Sequence, residues 1–324
     1  MLSLLEDDAT TTFVSLIGAS VLKYGFTSWL ALNRPKVYEK VGRVSSLQLY
    51  PVKSCRGLDV KTAECTLTGL RQYGVTDRHW ILSSRENTWI NANKEPKLLL
   101  VTVKLHDDKV EMTAPGMEPL MVPITPKLDQ AMVRHIGTGP LAIDTLDCGD
   151  EAAAWFAKHT GRQGVRLNYS HPELAKRESI SFKYPWEHYA LPGDQMAFSN
   201  YCSYMMMTNE SIVALNAELD RPAAINNFRP SIMMEGSPAF EEDKWEAVKI
   251  GSVSFRMIDM CSRCNQINVV EKEGRHSKDK EPFATLRRIR SFPKYGIKPC
   301  IGIYLALDVA GTISVGDDIY AIRK

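Results

Sequence analysis

The residues best suited to chemistry lie in the run Cys261-Ser262-Arg263-Cys264. It follows a stretch of apolar residues that predicts a strand, so we expect it where the backbone leaves a sheet. A thiolate at such a point can bind a soft transition metal without a second cysteine pair. The neighbouring Arg263 would favour the deprotonated thiol.

Three other interpretations of this run stay open. A structural zinc site needs four ligands, and of suitable residues only His276 follows nearby. A redox dithiol normally lies at the start of a helix, whereas the residues after Cys264, NQINVV, are typical of a strand. The third interpretation is a pair of buried structural cysteines.

A second group of residues is suited to binding an anion. It comprises Lys53 and Ser54 in the run YPVKSCRG, Arg78 after Asp77, and Arg229 in the run NFRP. Each motif combines a cation with residues typical of turns, where forked donors and backbone amides can meet a phosphate. Taken singly, each is more typical of a solvated surface charge. Together they indicate an anionic cofactor.

Strands are predicted to position the first of these motifs. Runs with period-two character, separated by turn residues, occur at residues 41–50, 79–84, 97–105, 109–114 and 117–124. A helix follows, with Asp150 as its N-cap and Gly161 as its end. The polar residues 170–194 then predict a long surface loop.

The second half predicts strands at residues 195–208, 229–235, 245–260, 301–309 and 311–322. Thr208 is predicted to cap a helix whose apolar face carries Ile212, Val213, Leu215 and Leu219. The fold class expected is α+β and mostly β, with a β-barrel core and flanking helices. We expect an anchor and linker at residues 1–40, a β-rich subdomain at 41–168 and the cysteine-bearing domain at 169–324.

Composition excludes some functions. A chain of 324 residues with 44% hydrophobic and 24% charged content can bury a sizeable core. The formal charge of +2 offers no broad footprint for nucleic acid, so no nucleic-acid partner is expected. The seven cysteines are an odd number in a chain too long to need disulfides, which fits a reducing compartment.

Residues 11–32 are mostly apolar or small and are long enough to cross a membrane as a helix, with Lys23 as their one charged residue. Acidic residues precede this segment and Lys and Arg follow it, so the rest of the chain is expected to face the cytosol. The reverse charge order would be expected for a cleaved secretory signal. The competing interpretation is an amphipathic or buried N-terminal helix.

The runs YPVKSCRG, NFRP and CSRC, in this order, resemble those of the MOSC-domain proteins, and within them the mitochondrial amidoxime reducing components. The resemblance extends from Val41 to the C-terminus and includes the N-terminal anchor. It implies a MOSC-type β-barrel core, an N-terminal β-rich MOSC subdomain and the molybdenum cofactor, Mo-molybdopterin. It also implies that Cys264 is the metal ligand and the catalytic residue, whereas Cys261 is structural.

The same resemblance implies which residues hold the cofactor's pterin and phosphate. They are Lys53, Ser54, Arg78, Asn200, Asn227, Arg229 and Ser262. The chain departs from the family at two places. Asn200 stands where relatives usually begin an Asp-Thr-Ser run, and Val270 stands at the Asp of a Thr-Thr-Val-Asp-Pro run. These departures concern turnover and substrate scope rather than metal binding.

The activity implied is the reduction of N-hydroxylated compounds such as amidoximes and N-oxides. Electrons would come from a b-type cytochrome and its NADH-dependent reductase on the same membrane. The location implied is the mitochondrial outer membrane, with the catalytic domain facing the cytosol. Two alternatives stay open: Cys264 could carry a persulfide, or the chain could be a catalytically weakened cofactor-binding scaffold, as Asn200 and Val270 suggest.

Overall fold

The computed structural model describes residues 20, 22–24, 37–182 and 189–324. The span Glu39–Lys324 forms one compact unit. The membrane segment predicted at residues 11–32 lies outside the described residues except for residues 20 and 22–24. None of the helices in the described residues is long and apolar enough to cross a membrane.

The unit is built mainly from short strands. In chain order they are β1 (Glu39–Leu49), β2 (Leu58–Val60), β3 (Thr62–Thr66), β4 (Gly69–Gln72), β5 (Val75–Thr76), β6 (Trp80–Ser83), β7 (Trp89–Ile90), β8 (Thr102–Leu105), β9 (Lys109–Thr113), β10 (Leu120–Pro123), β11 (Val133–Ile136), β12 (Ile143–Asp147), β13 (Arg166–Tyr169), β14 (Arg177–Glu178), β15 (Gln195–Met196), β16 (Tyr204–Thr208), β17 (Ile232–Glu235), β18 (Trp245–Ile250), β19 (Val253–Ser262), β20 (Val269–Val270), β21 (Arg275–His276), β22 (Cys300–Val309), β23 (Gly311–Ser314) and β24 (Asp318–Arg323).

Helices are few by comparison. The α-helices of the unit are α1 (Asp150–Thr160), α2 (Asn209–Asn216), α3 (Ile225–Phe228) and α4 (Phe283–Ile289). Its 3₁₀ helices are Pro96–Leu100, Gln130–Met132, Gly139–Leu141, Ser179–Ser181, Glu241–Lys244, Asn265–Asn268 and Pro293–Tyr295.

A closed barrel of seven strands forms the core. Its order is β17-β16-β22-β19-β18-β24-β1, and β1 pairs back onto β17 to close the ring. Neighbours are antiparallel except for β16 and β17. The central strand β22 is buried along Cys300–Leu307, because barrel side chains cover one face and loops cover the other. The mostly β fold with a barrel core is therefore confirmed.

The barrel draws strands from both halves of the sequence. Strand β1 precedes the YPVKSCRG run, yet it closes the barrel between β17 and β24. Strand β2 pairs with the other edge of β1. The remaining strands of the first half form separate sheets, β11-β12-β13-β6-β7, β10-β9-β8 and, with β23, β23-β3-β4-β5. The domain boundary at residue 168 stays a prediction.

The helix predictions are confirmed with two local corrections. Helix α1 ends at Gly161 in the left-handed conformation as predicted, but Gly149 is the N-cap and Asp150 is the first helical residue. The Thr208 side chain accepts a hydrogen bond from Ser211 N and caps α2, as predicted. Val213 is 68% exposed, so its assignment to the apolar face was wrong.

Some strand predictions and one loop prediction were wrong in part. The strand predicted at residues 97–105 begins only at Thr102, since Pro96–Leu100 is a 3₁₀ helix. Residues 197–203 form no strand, because their carbonyl groups accept hydrogen bonds from the side chains of Lys53 and Arg177 instead of from a neighbouring strand. After Cys264 the chain turns through Asn265–Asn268 before the short β20. Within residues 170–194, predicted as a surface loop, β14 places Arg177 in the interior.

Gly302 in β22 allows the barrel to close tightly and supplies a test of the fold. Its φ is +74°, and an added Cβ would lie 2.6 Å from Met206 O and 2.4 Å from Met207 Cγ. Gly251 also has a positive φ, but its Cβ position is open. We predict that Gly302→Ala lowers the free energy of unfolding by at least about 3 kcal/mol, against about 1–2 kcal/mol for Gly251→Ala. Urea unfolding measures both, and equal losses would contradict this packing.

Candidate functional site

The CSRC run lies at one end of the barrel. Strand β19 ends at Ser262, opposite Cys300 at the start of β22. Because these strands are neighbours, the intervening residues 263–299 must leave and rejoin the barrel at the same end. Cys264 is exposed and is the N-cap of the 3₁₀ helix Asn265–Asn268. Its thiol is thus accessible at a strand end, as predicted.

A cleft of about 700 Å³, counted to its open mouth, lies beside Cys264. All the site residues predicted from the sequence line it, namely Lys53, Ser54, Arg78, Asn200, Asn227, Arg229, Ser262 and Cys264. The structure therefore brings together residues that are scattered along the chain, while their individual roles stay predictions.

The charge of the cleft is one-sided. Among the described residues that line it, Lys53, Arg78, Arg229 and Arg263 are cationic, and none is Asp or Glu. Like charges gathered in a partly dehydrated cleft repel one another, and a bound anion relieves that repulsion. The cleft is therefore suited to an anionic ligand.

The first motif is held by the start of strand β6. Lys53 N donates to Trp80 O at 2.7 Å, and Trp80 N donates to Pro51 O at 3.1 Å. These bonds fix the backbone on which Lys53 and Ser54 project. The Lys53 Nζ donates to Phe198 O and to Asn200 Oδ1, each at 2.6 Å. The lysine therefore joins the first motif to the loop before β16.

Three of the predicted site residues have left-handed backbone. The φ angles of Ser54, Arg78 and Arg229 are +72°, +51° and +56°. Such angles are uncommon for residues with a side chain, and they concentrate at functional sites where surrounding structure holds them. Arg229 follows α3 as its C-cap, with its N–H donating to Ile225 O. The sharp turn aims its side chain into the cleft.

Two of the arginines pack on one aromatic ring. The guanidinium carbons of Arg78 and Arg229 lie 4.7 Å and 4.2 Å from the centre of the Tyr50 ring. Arg78 also donates to Arg229 O at 3.0 Å and pairs with Asp77, whose carboxylate accepts from Tyr50 N at 2.6 Å. This network holds both guanidinium groups in place without a ligand.

Several buried polar atoms at the cleft have no hydrogen-bond partner among the described residues. They are Ser54 Oγ, Ser199 Oγ, Arg229 Nη2 and Ser231 Oγ. Buried polar groups without partners are rare because each costs about 1–3 kcal/mol. Arg229 Nη1 is bound to Cys55 O at 2.7 Å, so Nη2 is the guanidinium nitrogen left to meet a ligand. This donor set fits the phosphate and polar ring system of an anionic pterin cofactor.

The two cysteines of the CSRC run have different surroundings. Cys261 is buried in β19, and its Sγ accepts a hydrogen bond from Arg263 Nη1 at 2.7 Å. Arg263 also donates to Phe228 O. The arginine predicted to assist Cys264 thus makes its direct hydrogen bonds with Cys261 and the backbone. This arrangement leaves Cys264 as the accessible thiol.

The geometry also bears on the zinc and dithiol interpretations. His276 lies in β21, where its Nε2 is 3.0 Å from Asn93 O. Within the part of the chain that the structure describes, no three His, Cys, Asp or Glu side chains are grouped to hold a metal ion. Cys264 precedes a 3₁₀ helix of four residues rather than a full α-helix. A single-thiolate site agrees best with these contacts.

Asn227 supports the loop that carries Cys264. Its Nδ2 donates to Ile267 O at 2.9 Å and to Val269 O at 3.1 Å. The amide thereby ties helix α3 to the residues that follow the cysteine. Val270 has no carboxylate, but the next residue, Glu271, has one. Its Oε1 lies 2.8 Å from Arg56 Nε. That ion pair links the loop to the end of the YPVKSCRG run.

Arg177 supports the segment that carries Ser199 and Asn200 into the cleft, and it was missed by the sequence analysis. Its guanidinium donates to Ala197 O at 2.7 Å and to Ser199 O, and its carbon lies 4.6 Å from the centre of the Trp89 ring. Burial lowers the pKa of Arg177 to about 9. The residue lies in a polar stretch predicted as a surface loop, so no local signal marked it.

Burial also lowers the pKa of Lys53 well below its ordinary value, and the positive charges of Arg177 and Arg78 lower it further. Its two hydrogen-bond acceptors, Phe198 O and the amide oxygen of Asn200, are both neutral. The departure at residue 200 therefore leaves the buried lysine with an acceptor but without a counter-charge there.

A barrel with an accessible thiol beside a cationic, carboxylate-free cleft defines a site for an anionic group. The chain matches the MOSC N-terminal beta barrel domain over residues 41–163 and the MOSC domain over residues 193–320. It is 33% identical over 318 residues to mitochondrial amidoxime-reducing component 1 of Mus musculus, covering 96% of this chain and 92% of the relative.

Two further relatives agree. Mitochondrial amidoxime-reducing component 1 of Homo sapiens is 31% identical, covering 96% of this chain and 93% of the relative. Component 2 of Rattus norvegicus is 33% identical, covering 95% and 92% respectively. The chain therefore belongs to the MOSC-domain family, among the relatives of the mitochondrial amidoxime-reducing components.

The Lys53–Asn200 contact predicts a pH dependence of stability in cofactor-free protein. Folding lowers the pKa of Lys53, so the unfolded chain binds a proton there more readily than the folded chain does. Above the ordinary pKa of 10.5 the lysine is neutral in both states and does not change the free energy of unfolding. As the pH falls below that value, the free energy of unfolding decreases. Asn200→Asp would raise the pKa of Lys53 and so flatten the pH dependence between about pH 7 and about pH 10.

Denaturant unfolding across that pH range measures the effect. The control is Asn93→Asp, which adds the same charge at an exposed position. It should leave the slope close to that of the wild type. Equal slopes for wild type and Asn200→Asp would show that Lys53 does not titrate as the geometry requires.

Proposed function

We propose that the protein is a molybdenum-cofactor oxidoreductase that reduces N-hydroxylated compounds, such as amidoximes and N-oxides. The observation that carries the proposal is the cleft beside Cys264, with its four cations, absence of a lining carboxylate in the described residues, and unpartnered buried donors. Relatives covering nearly the whole chain are named amidoxime-reducing components, which supports the substrate class.

Each wall of the cleft has a role in this proposal. Cys264 would bind the molybdenum through its thiolate. Ser54 Oγ and Arg229 Nη2 would bind the cofactor's phosphate, with Arg78 adding charge. The other wall, with Asn200, Ser199 and Ser262, would face the pterin. When bound, the molybdenum cofactor supplies the two-electron chemistry and the protein supplies position and electrostatics.

The overall reaction balances with an external electron donor. The N–O bond of the substrate breaks, and two electrons and two protons are consumed. In an amidoxime one proton forms a new N–H bond and the other leaves in water with the hydroxyl group. In an N-oxide both protons leave in water with the oxygen. The exposure of Cys264 at the open mouth of the cleft leaves room for a substrate to approach.

The electrons would come from a b-type cytochrome and its NADH-dependent reductase. We place the protein in the mitochondrion, as the names of its relatives suggest, and at the outer membrane with the catalytic unit facing the cytosol. Residues 11–32 would be the anchor, given their apolar content and flanking charges. Confinement to one membrane would raise the rate at which the partners meet.

The central test compares Cys264→Ser with Cys261→Ser. The first variant removes the proposed metal ligand, so reduction of benzamidoxime driven by reduced viologen dye should fall at least about 100-fold, and bound molybdenum should fall with it. Cys261→Ser keeps an acceptor for Arg263 and should retain most of both. Molybdenum and pterin analysis of the same preparations supplies the second readout.

Other outcomes would favour the two alternatives. Molybdenum near one per chain without benzamidoxime reduction by the wild type would indicate a cofactor-binding scaffold. Cyanide-labile sulfur on Cys264 without molybdenum would indicate a persulfide carrier. Equal loss of metal and activity in both cysteine variants would contradict the assignment of Cys264 as the single ligand.

A further inference from the structure

Positive charge is concentrated in one segment of the chain, residues 272–298, which we term the basic excursion. This segment holds nine of the 40 Lys and Arg residues in the sequence but only three of its 38 Asp and Glu residues. The rest of the chain is therefore negative on balance. Charge so localised produces a field at one face of the molecule, although the net charge is close to zero.

The basic excursion lies beside Cys264. It forms most of the chain between β19, which ends at Ser262, and β22, which begins at Cys300 at the same end of the barrel. Two backbone nitrogens on it, of Ser277 and Phe283, donate to Asn268 at 2.8 Å and 2.9 Å. Directly after it, Pro299 O accepts from Arg263 N at 2.8 Å. The segment thus packs against both sides of the turn that carries the exposed thiol.

Part of its charge is free for a partner. Arg290 and Lys294 form ion pairs with Asp243 and Asp259. Five other exposed cations have no carboxylate within ion-pair distance in the described part of the chain: Lys272, Lys278, Lys280, Arg287 and Lys298. Exposed, unpaired cations of this kind mainly attract and orient an approaching charged partner.

The segment also carries an apolar contact point. Ile297 is 67% exposed and lies between Lys294 and Lys298 in the sequence. An exposed aliphatic side chain in a basic segment suits a small interface with an apolar centre and a charged rim. The partner it fits has an acidic face around an apolar patch.

We propose that the basic excursion is the docking surface for an acidic face of the protein that delivers electrons to the Cys264 site. This inference rests on the proposed function, because that reaction consumes two electrons that must enter close to Cys264. A one-electron donor must bind and leave twice in each turnover, which requires a small, fast and salt-sensitive interface. The charge and position of the basic excursion meet that requirement.

Charge alone would also suit an anionic membrane surface, but the position does not. The basic excursion borders the turn that carries Cys264, which is exposed and lines the cleft. A bilayer lying flat on this surface would lie against that turn and hinder the approach of substrate to Cys264. A protein that docks briefly and departs leaves the opening free.

The test reverses charge at two positions outside the cleft. The double variant Arg287→Glu with Lys298→Glu changes exposed side chains that make no ion pair in the described residues. The control is Lys249→Glu, exposed on β18 opposite Ser254, near the other end of β19. The probe is the purified soluble haem domain of a b-type cytochrome with an acidic surface, used with cofactor-loaded enzyme.

We expect the double variant to bind the cytochrome at least about tenfold more weakly at low ionic strength, and its KM for the cytochrome to rise by a similar factor. The wild-type rate should fall with added salt, and the rate of the variant should respond much less. Reduction of benzamidoxime with reduced viologen dye should be the same in all three proteins. The control should match the wild type throughout.

Unchanged affinity and KM in the double variant would overturn the docking surface. The docking surface would also be overturned if the double variant kept its KM for the cytochrome but no longer bound vesicles of anionic phospholipid. That result would assign the charge to a membrane. Direct titration of the cytochrome decides the matter separately from catalysis. Failure of the wild type to reduce benzamidoxime with viologen would contradict the proposed function, while the titration would still test the surface.

Discussion

The structure depends on holding positive charge in a cleft that has no carboxylate among its described lining residues. Such an arrangement destabilises the folded chain by itself, because the cations repel one another and burial removes their hydration. The backbone compensates where it can: Lys53 donates to Phe198 O, Arg229 to Cys55 O and Arg177 to Ala197 O. The donors left over face the cleft, and an anionic ligand would satisfy them.

Barrel closure explains how distant residues reach one site. Strand β1 leads into the Lys53 run, the Arg229 run leads into β17, and β1 pairs with β17. Strand β19 brings Cys264 to the same cleft. Because neighbouring strands hold the ends of these loops, the loops can keep left-handed residues at Ser54 and Arg229. The left-handed Arg78 lies between β5 and β6, outside the barrel. The barrel therefore provides the rigidity, and the irregular turns provide the chemistry.

The parts of the site that sequence analysis predicted are those with a local pattern. Lys53, Arg229 and Cys264 stand in turns next to apolar strands, and the barrel strands alternate or run apolar as expected. The wall built from residues 197–203 was predicted as strand because its apolar residues suggest one. Its true form depends on Arg177 and Lys53 reaching across the fold to its carbonyl groups. Contacts of that kind leave no periodicity in the sequence.

The departures at Asn200 and Val270 are handled in different ways. Glu271, one residue after Val270, pairs with Arg56 and does not line the cleft, whereas Asn200 lines it and offers Lys53 an acceptor without a charge.

The most direct test of the account is a crystal structure of cofactor-loaded protein with anomalous scattering recorded at the molybdenum edge. We predict an anomalous peak bonded to Cys264 Sγ, and a phosphate in contact with Ser54 Oγ and Arg229 Nη2. A metal bound elsewhere, or a phosphate outside the cleft, would contradict the account.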